Sequence, residues 1–110
     1  GDVVEIKSKK HKYGHTASYY NGFWFSDFKS KNINVYSDDP DAKIRIFRNP
    51  DSAEAEKSSE IIASRAGKTS KHQCAKYVRT GLNLASKGKY TSEGYNGNVF
   101  GDYLSKKGWV

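Results

Sequence analysis

The chain has 110 residues, enough for one domain with a modest hydrophobic core. Its net charge of +7 favours an anionic partner such as nucleic acid, an acidic membrane or a cell-wall polymer. A single cysteine excludes an internal disulfide and a cysteine-rich zinc site. No apolar run predicts a membrane span, and no signal-peptide pattern is present.

The first part of the chain predicts a β-hairpin between two strands. Residues 1–6 read as a preceding strand, and residues 15–20 as the first arm of the hairpin. Asn21-Gly22 is the strongest short hairpin signal, because both residue types tolerate positive φ. Residues 23–28 return as the second arm. We expect most of the hairpin aromatics to be core residues, with a substrate groove as the alternative.

The segment after the hairpin predicts a polar loop and one more strand. Residues 29–42 form the loop, and its acidic run at 38–41 is a plain turn, because the calcium-binding pattern of an EF-hand is missing. Residues 43–48 alternate between apolar and polar types, which predicts a fourth strand with Ile44 and Ile46 facing inward.

Helical patterns follow the strands. Residues 49–58 contain few large apolar side chains and read as a linker or a weakly packed helix start. The predicted elements after them are a short helix at 59–66, a helix from Cys74 to about Lys87 with one apolar stripe, a loop at 89–98 and a last helical turn at 100–106. Strands first and helices second indicate an α+β domain.

The lone cysteine occupies a position that favours reactivity. Ser70 and Gln73 have the spacing of a capping box, which places Cys74 in the first turn of a helix. The helix dipole and the nearby Lys71, His72 and Lys76 are expected to favour the nucleophilic thiolate. The alternative is a buried structural cysteine.

A cysteine nucleophile needs a base and a group that orients the base. His15 opens a strand, where a sheet can hold its ring, whereas His11 lies in a lysine-rich loop and His72 is too close to Cys74 along the chain. The orienting group is Ser26 if the hairpin turn has two residues, or Asp27 if the turn is one residue longer. The residue pattern leaves both open.

Several segments resemble the NlpC/P60-like cysteine peptidases of bacterial and phage cell-wall hydrolases. The matching segments are Gly1-Asp2-Val3-Val4, Gly14-His15-Thr16-Ala17-Ser18-Tyr19, Trp24-Phe25-Ser26-Asp27-Phe28, the stretch from Ser70 to Arg79, Phe100-Gly101-Asp102-Tyr103-Leu104 and Gly108-Trp109. The resemblance implies a papain-like fold in which a small antiparallel sheet packs on a helix that carries the nucleophile. It also implies a triad of Cys74, His15 and Asp27, and therefore the longer turn.

The family normally has the cysteine helix first, so this chain resembles a circularly permuted member. We expect one catalytic domain over 1–110, with a sheet half at 1–48, a linker at 49–58 and a helical half at 59–110. Substrate contacts are expected from Tyr13, Trp24, Lys71 and His72, with no metal and no cofactor.

The leading hypothesis is an amide hydrolase of peptidoglycan peptide stems, either a lysin or an antibacterial effector with a cognate immunity protein. We expect it to be secreted or delivered to the bacterial periplasm or cell wall, as a monomer or an exchanged dimer, with no specific nucleic acid as partner. The second hypothesis is a basic nucleic-acid-binding or nuclease module, which needs no cysteine. The third is a lipid-acting thiol acyltransferase, suggested by the permuted order.

Overall fold

Five strands form one antiparallel sheet in the computed structural model, which describes residues 1–91 and 95–110. The strands are β1 (Val3–Lys7), β2 (His15–Tyr20), β3 (Phe23–Phe25), β4 (Lys29–Ser30) and β5 (Lys43–Phe47). Their spatial order is β4-β3-β2-β1-β5, so β1 and β2 occupy the middle. The hairpin prediction is confirmed, because Tyr20 pairs with Phe23 across a turn of two residues, Asn21 and Gly22.

Three α-helices follow the sheet strands in the described part of the chain. They are α1 (Ser52–Arg65), α2 (Cys74–Ser86) and α3 (Phe100–Lys106), the last preceded by a short 3-10 turn at Gly97–Val99. The α+β class is therefore confirmed, as is the helical segment at 100–106. The centre of the predicted loop at 89–98, residues 92–94, lies outside the described residues.

Helix α1 begins at Ser52, seven residues before the predicted start at Ser59, so of the two interpretations of 49–58 the helix start is confirmed for 52–58 and the linker is wrong there. The Asp51 side chain caps the helix by accepting a hydrogen bond of 3.0 Å from the Glu54 N–H. Small side chains let this first half pack closely: Ala55 and Ser58 are buried although neither is large. The spacing of large apolar residues therefore does not predict the first half of this helix.

The main core lies between the sheet and the helix pair. Val78 and Leu82 of α2 are fully buried there, and burial of each contributes roughly 1.5–3 kcal/mol. Helices α1 and α2 pack so closely that a side chain at position 81, which is glycine, would collide with Ile62. This packing fixes α2, and with it the position of Cys74, against β2.

The opposite face of the sheet is only partly covered. The segment at 31–42 packs over Val4, Ile6 and Ala17. Ile44 and Ile46 share that face with Ile6 and Val4, their partners on β1, but they lie on an edge strand beyond the covering segment. They are 37% and 52% exposed, so the prediction that both face inward is wrong.

Among the described residues, no helix has the length and apolar character needed to cross a bilayer.

Candidate active site

Cys74 and His15 line the same cleft, which has a volume of about 910 Å³. His15 is the first residue of β2, and Cys74 is the first residue of α2. The cleft therefore lies between the start of β2 and the start of α2, the helix that packs on that strand. These two residues are 59 positions apart in the sequence, and only the packing of α2 on the sheet brings them together.

The start of α2 is capped by a residue distant in sequence, and the predicted capping box is absent. Gln73 is itself the N-cap residue and its side chain makes no capping bond. The Ser70 hydroxyl instead accepts a hydrogen bond of 3.2 Å from the His72 N–H. The reason is that a better acceptor, a buried carboxylate, approaches this turn from the sheet.

That carboxylate belongs to Asp27, which is fully buried. Its Oδ2 atom accepts backbone hydrogen bonds from Lys71 at 2.6 Å and from Gln73 at 3.1 Å. Its Oδ1 atom accepts one of 3.0 Å from the Ser26 hydroxyl, and its backbone oxygen accepts one of 2.8 Å from Gly67. Asp27 thus fixes the whole segment from α1 to Cys74.

The longer hairpin turn that the family resemblance implied is wrong. Tyr20 pairs with Phe23 and Ser18 with Phe25, which is the register of a two-residue turn. Asp27 reaches the site because pairing between β2 and β3 ends at Phe25 and the backbone bends at Ser26 and Asp27. Asp27 makes no hydrogen bond to His15 in the described structure, and its charge acts on that ring through space.

His15 is held in its uncharged form. Only 5% of the residue is exposed, and its ring lies 5.5 Å from that of Phe28 and 6.3 Å from that of Tyr36. Burial lowers the pKa of His15 to about 4, and the Asp27 charge opposes this shift only in part. At neutral pH the imidazole is therefore free to accept a proton.

Cys74 is half-buried, and burial raises the pKa of its thiol. The Asp27 charge adds to that rise, while backbone N–H groups of Thr16, Ala75 and Cys74 itself counteract it. The expectation that the site favours the thiolate is therefore wrong, since desolvation outweighs the N–H groups at the start of the helix. At neutral pH the thiol and the imidazole that line the cleft are therefore both uncharged, and no hydrogen bond joins them in the described structure.

Tyr36 belongs to this site, although no sequence pattern indicated it. Its ring lies stacked on that of His11, with centroids 3.9 Å apart, and both rings line the cleft. Burial, then the neighbouring Cys74 and Asp38, raise the pKa of Tyr36 to about 12. Its hydroxyl therefore remains a proton donor throughout the neutral range.

His11 is also more ordered than its lysine-rich loop suggested. Its Nε2 atom lies 2.8 Å from Oδ1 of Asp38, within the predicted acidic turn. No sequence pattern indicated this pair, because 27 residues separate the two side chains.

The backbone of His15 is held by close approach of a glycine. A Cβ atom at Gly97 would lie 2.6 Å from the N, Cα and C atoms of His15, so only glycine fits there. The short turn at Gly97–Val99 leads directly into α3. At the start of α3 the Gly101 N–H donates a hydrogen bond of 2.6 Å to the buried Glu5 carboxylate. A central strand residue therefore anchors the turn that presses on His15.

Two of the four residues expected to contact substrate line the cleft. Tyr13 and His72 do so, whereas Lys71 and Trp24 do not. Lys71 contributes its backbone N–H to Asp27, and Trp24 packs against Tyr19, its partner on β2, with ring centroids 5.1 Å apart. No cluster of His, Cys, Asp or Glu side chains suited to a metal ion occurs in residues 1–91 and 95–110.

No family model, no curated protein and no solved structure matches this chain.

Proposed function

We propose that this protein is a cysteine hydrolase that cleaves amide bonds in the peptide stems of peptidoglycan. The observation that carries the proposal is that Cys74 and His15 line one cleft and that the charge of the buried Asp27 acts on both. A nucleophile, an uncharged base and a fixed negative charge are the groups that thiol acyl transfer requires.

In the proposed reaction His15 accepts the proton of the Cys74 thiol as the sulfur attacks the amide carbonyl carbon. The tetrahedral intermediate collapses to a thioester when His15 returns that proton to the departing amine. Water then attacks the thioester, with His15 again as base, and releases a carboxylic acid and the free thiol. Asp27 stabilises the imidazolium that forms in both steps.

Three groups at the rim of the cleft are candidates for stabilising the oxyanion. The backbone N–H of Cys74 is at the start of α2, Gln73 and Tyr36 line the same cleft, and the electrostatic influence of Cys74 reaches the Tyr36 hydroxyl. Because Tyr36 stays protonated and its hydroxyl has no partner among the described residues, we assign it the role of side-chain donor.

We further propose that the domain is a circularly permuted, papain-like member of the NlpC/P60-like family. The sheet order and the packing of α2 on β2 support a sheet-and-nucleophile-helix arrangement. Support for the permutation comes from Arg48, whose side chain contacts Asp2 at 3.3 Å and whose backbone exchanges two hydrogen bonds with Val110. The two ends of the chain thus lie on either side of β5, close enough for a short peptide to join them.

The net charge of +7 supports retention on the anionic cell wall, and with it a secreted or periplasm-delivered hydrolase. An effector of this type would need a cognate immunity protein in the cell that makes it. A nucleic-acid-binding role is the second candidate, favoured by the lysines and arginine around the cleft.

The test is digestion of purified peptidoglycan sacculi with wild type, Cys74→Ala, His15→Gln and the control Ser64→Ala. Ser64 is exposed on α1 and does not line the cleft. We expect new muropeptides from wild type and the control only, with masses that identify the bond. Folded wild type without products would refute wall hydrolysis, and polynucleotide cleavage that survives Cys74→Ala would establish the second candidate.

A further inference from the structure

The cleft that holds Cys74 is lined by positive charge without a described acidic side chain. Lys12, Lys76 and Arg79 line it, together with three histidines, and no Asp or Glu in the described residues does so. A concave surface with one sign of charge attracts ions of the other sign and concentrates the field inside it. The ligand of this cleft is therefore expected to carry negative charge.

Arg79 differs from the other three arginines of the chain. Arg45 and Arg48 are exposed and pair with carboxylates, at 2.9 Å from Glu5 and 3.3 Å from Asp2, and Arg65 is exposed on α1. Arg79 alone is half-buried, yet it makes no hydrogen bond or ion pair with a described residue. A partly desolvated guanidinium without an acceptor is unfavourable, and a carboxylate bound through two N–H groups would satisfy it.

The position of Arg79 relative to Cys74 sets where that carboxylate would lie. Ala75, Lys76 and Arg79 all line the cleft, as expected of neighbours at helical spacing of three and four residues. Arg79 follows Cys74 by five residues, so the two are about 7.5 Å apart along the axis of α2 and about 140° apart around it. A bound carboxylate would therefore lie at least about two residues of extended peptide from the carbonyl at Cys74.

We infer that Arg79 and Lys76 form a carboxylate-binding site in the cleft, which selects acyl substrates with a free carboxylate near the scissile amide. Arg79 provides the planar pair of donors and Lys76, exposed at the rim, provides attraction at longer range. Two further observations fit an elongated anionic ligand: Lys12 of the loop before β2 also lines the cleft, and Tyr13, whose ring lies under the Lys12 ammonium, is 62% exposed. The inference rests on the proposed function for the identity of the reacting bond.

The experiment compares two soluble stem peptides that differ in one group, a D-glutamate carboxylate or its D-isoglutamine amide. Binding is measured by calorimetry in a Cys74→Ala background, so that it does not depend on hydrolysis. We expect the acidic peptide to bind about 10- to 100-fold more tightly, the range for charged hydrogen bonds. Arg79→Gln should abolish the preference, Arg79→Lys should restore part of it, and the matched control Arg65→Gln should leave it intact.

Equal affinity for the two peptides, or binding of neither, would overturn the carboxylate site even if wild type digests sacculi. A preference that disappears in Arg79→Gln would support the site even if no sacculus is digested, and would then refute only the proposed hydrolysis. A single-stranded oligonucleotide that displaces the acidic peptide and binds more tightly, with Arg79→Gln weakening it, would overturn the inference in favour of a phosphate ligand. Thermal unfolding of each variant confirms that the fold persists.

Discussion

Asp27 accepts a hydrogen bond of 3.1 Å from the backbone N–H of Gln73, 46 residues further along the chain. The bond joins the end of the hairpin to the residue that immediately precedes the cysteine. Asp27 therefore acts on both members of the proposed pair: it fixes the backbone before Cys74 and places a charge near His15. Its main contacts are with the helix start, whereas the family resemblance implied a direct bond to the histidine.

Replacement of Asp27 should destabilise the protein through the N–H groups that it satisfies. We expect Asp27→Ala to lower the free energy of unfolding by about 2–4 kcal/mol, because two part-buried backbone donors lose their acceptor. Asp27→Asn keeps one acceptor oxygen and should lose less. Urea denaturation measures both, with Ser26→Ala, which removes one hydrogen bond to Asp27 and two longer ones of 3.4 Å with the Phe28 backbone but leaves the helix start capped, as the comparison. Unchanged stability of Asp27→Ala would contradict the anchoring role.

Protonation of His15 should make stability depend on pH. The pKa of His15 is about 4 in the folded protein and 6.5 as its ordinary value, so the unfolded chain binds the proton more readily. The free energy of unfolding should therefore fall as pH falls from 6.5 to 4, by on the order of 3 kcal/mol. Urea titrations of wild type and His15→Gln test this, since the variant should lack that component.

The exposed His72 supplies the control for this titration, because His72→Gln should retain the full pH dependence. The low pKa of His15 also predicts that the proposed hydrolysis persists to acid pH, with the acid limb of kcat/KM near 4. An acid limb near 6.5 would mean that the ring is solvated in the working enzyme.

Loss of the Tyr36 hydroxyl should slow the chemical step without unfolding the cleft. Tyr36→Phe keeps the ring that stacks on His11 and removes the donor assigned to the oxyanion. We expect kcat to fall about 100-fold with little change in KM, the effect of removing one oxyanion donor. Tyr19→Phe, at an exposed position that does not line the cleft, is the control. A rise in KM as large as the expected fall in kcat would instead assign Tyr36 to substrate binding.

A side chain at Gly97 should displace His15. Gly97→Ala places a Cβ atom 2.6 Å from the His15 backbone, so we expect a loss of about 1–3 kcal/mol in unfolding free energy and a marked loss of hydrolysis. Gly67→Ala is the matched control, because a Cβ atom there would lie no closer than 3.5 Å to its neighbours. Full activity of Gly97→Ala would show that β2 can shift without harm to the site.

A permuted chain in the order of the NlpC/P60-like family should fold. The ends flank β5, so residues Asp2 and Val110 are separated by about two strand spacings, roughly 10 Å. We expect a linker of about five residues from Val110 to Gly1 to span this distance, with new ends between Asn49 and Pro50. Circular dichroism and sacculus digestion compare it with the original order. A permutant that folds only as an exchanged dimer would contradict adjacency of the ends within one chain.

Local chemistry accounts for the elements that the sequence predicted well. Asn21-Gly22 specifies its own turn, and the alternating inward and outward residues on either side of the turn specify two strands. The stripe that includes Val78 and Leu82 predicts α2, and both residues are fully buried. Prediction failed where a distant partner decides the outcome: Ile46 alternates like a core residue, but it lies on an edge strand and no described segment buries it.

By itself, the sequence determined the α+β class, the hairpin, the cysteine helix and the selection of Cys74 and His15 as the residues to examine, because each follows from neighbours within a few positions. Only the tertiary structure decided that Asp27 caps the start of α2, that Tyr36 joins the cleft and that Arg79 faces it without a described partner. It also decided the charge state of the pair, because the pKa of a thiol or an imidazole depends on how much water packing removes from around it.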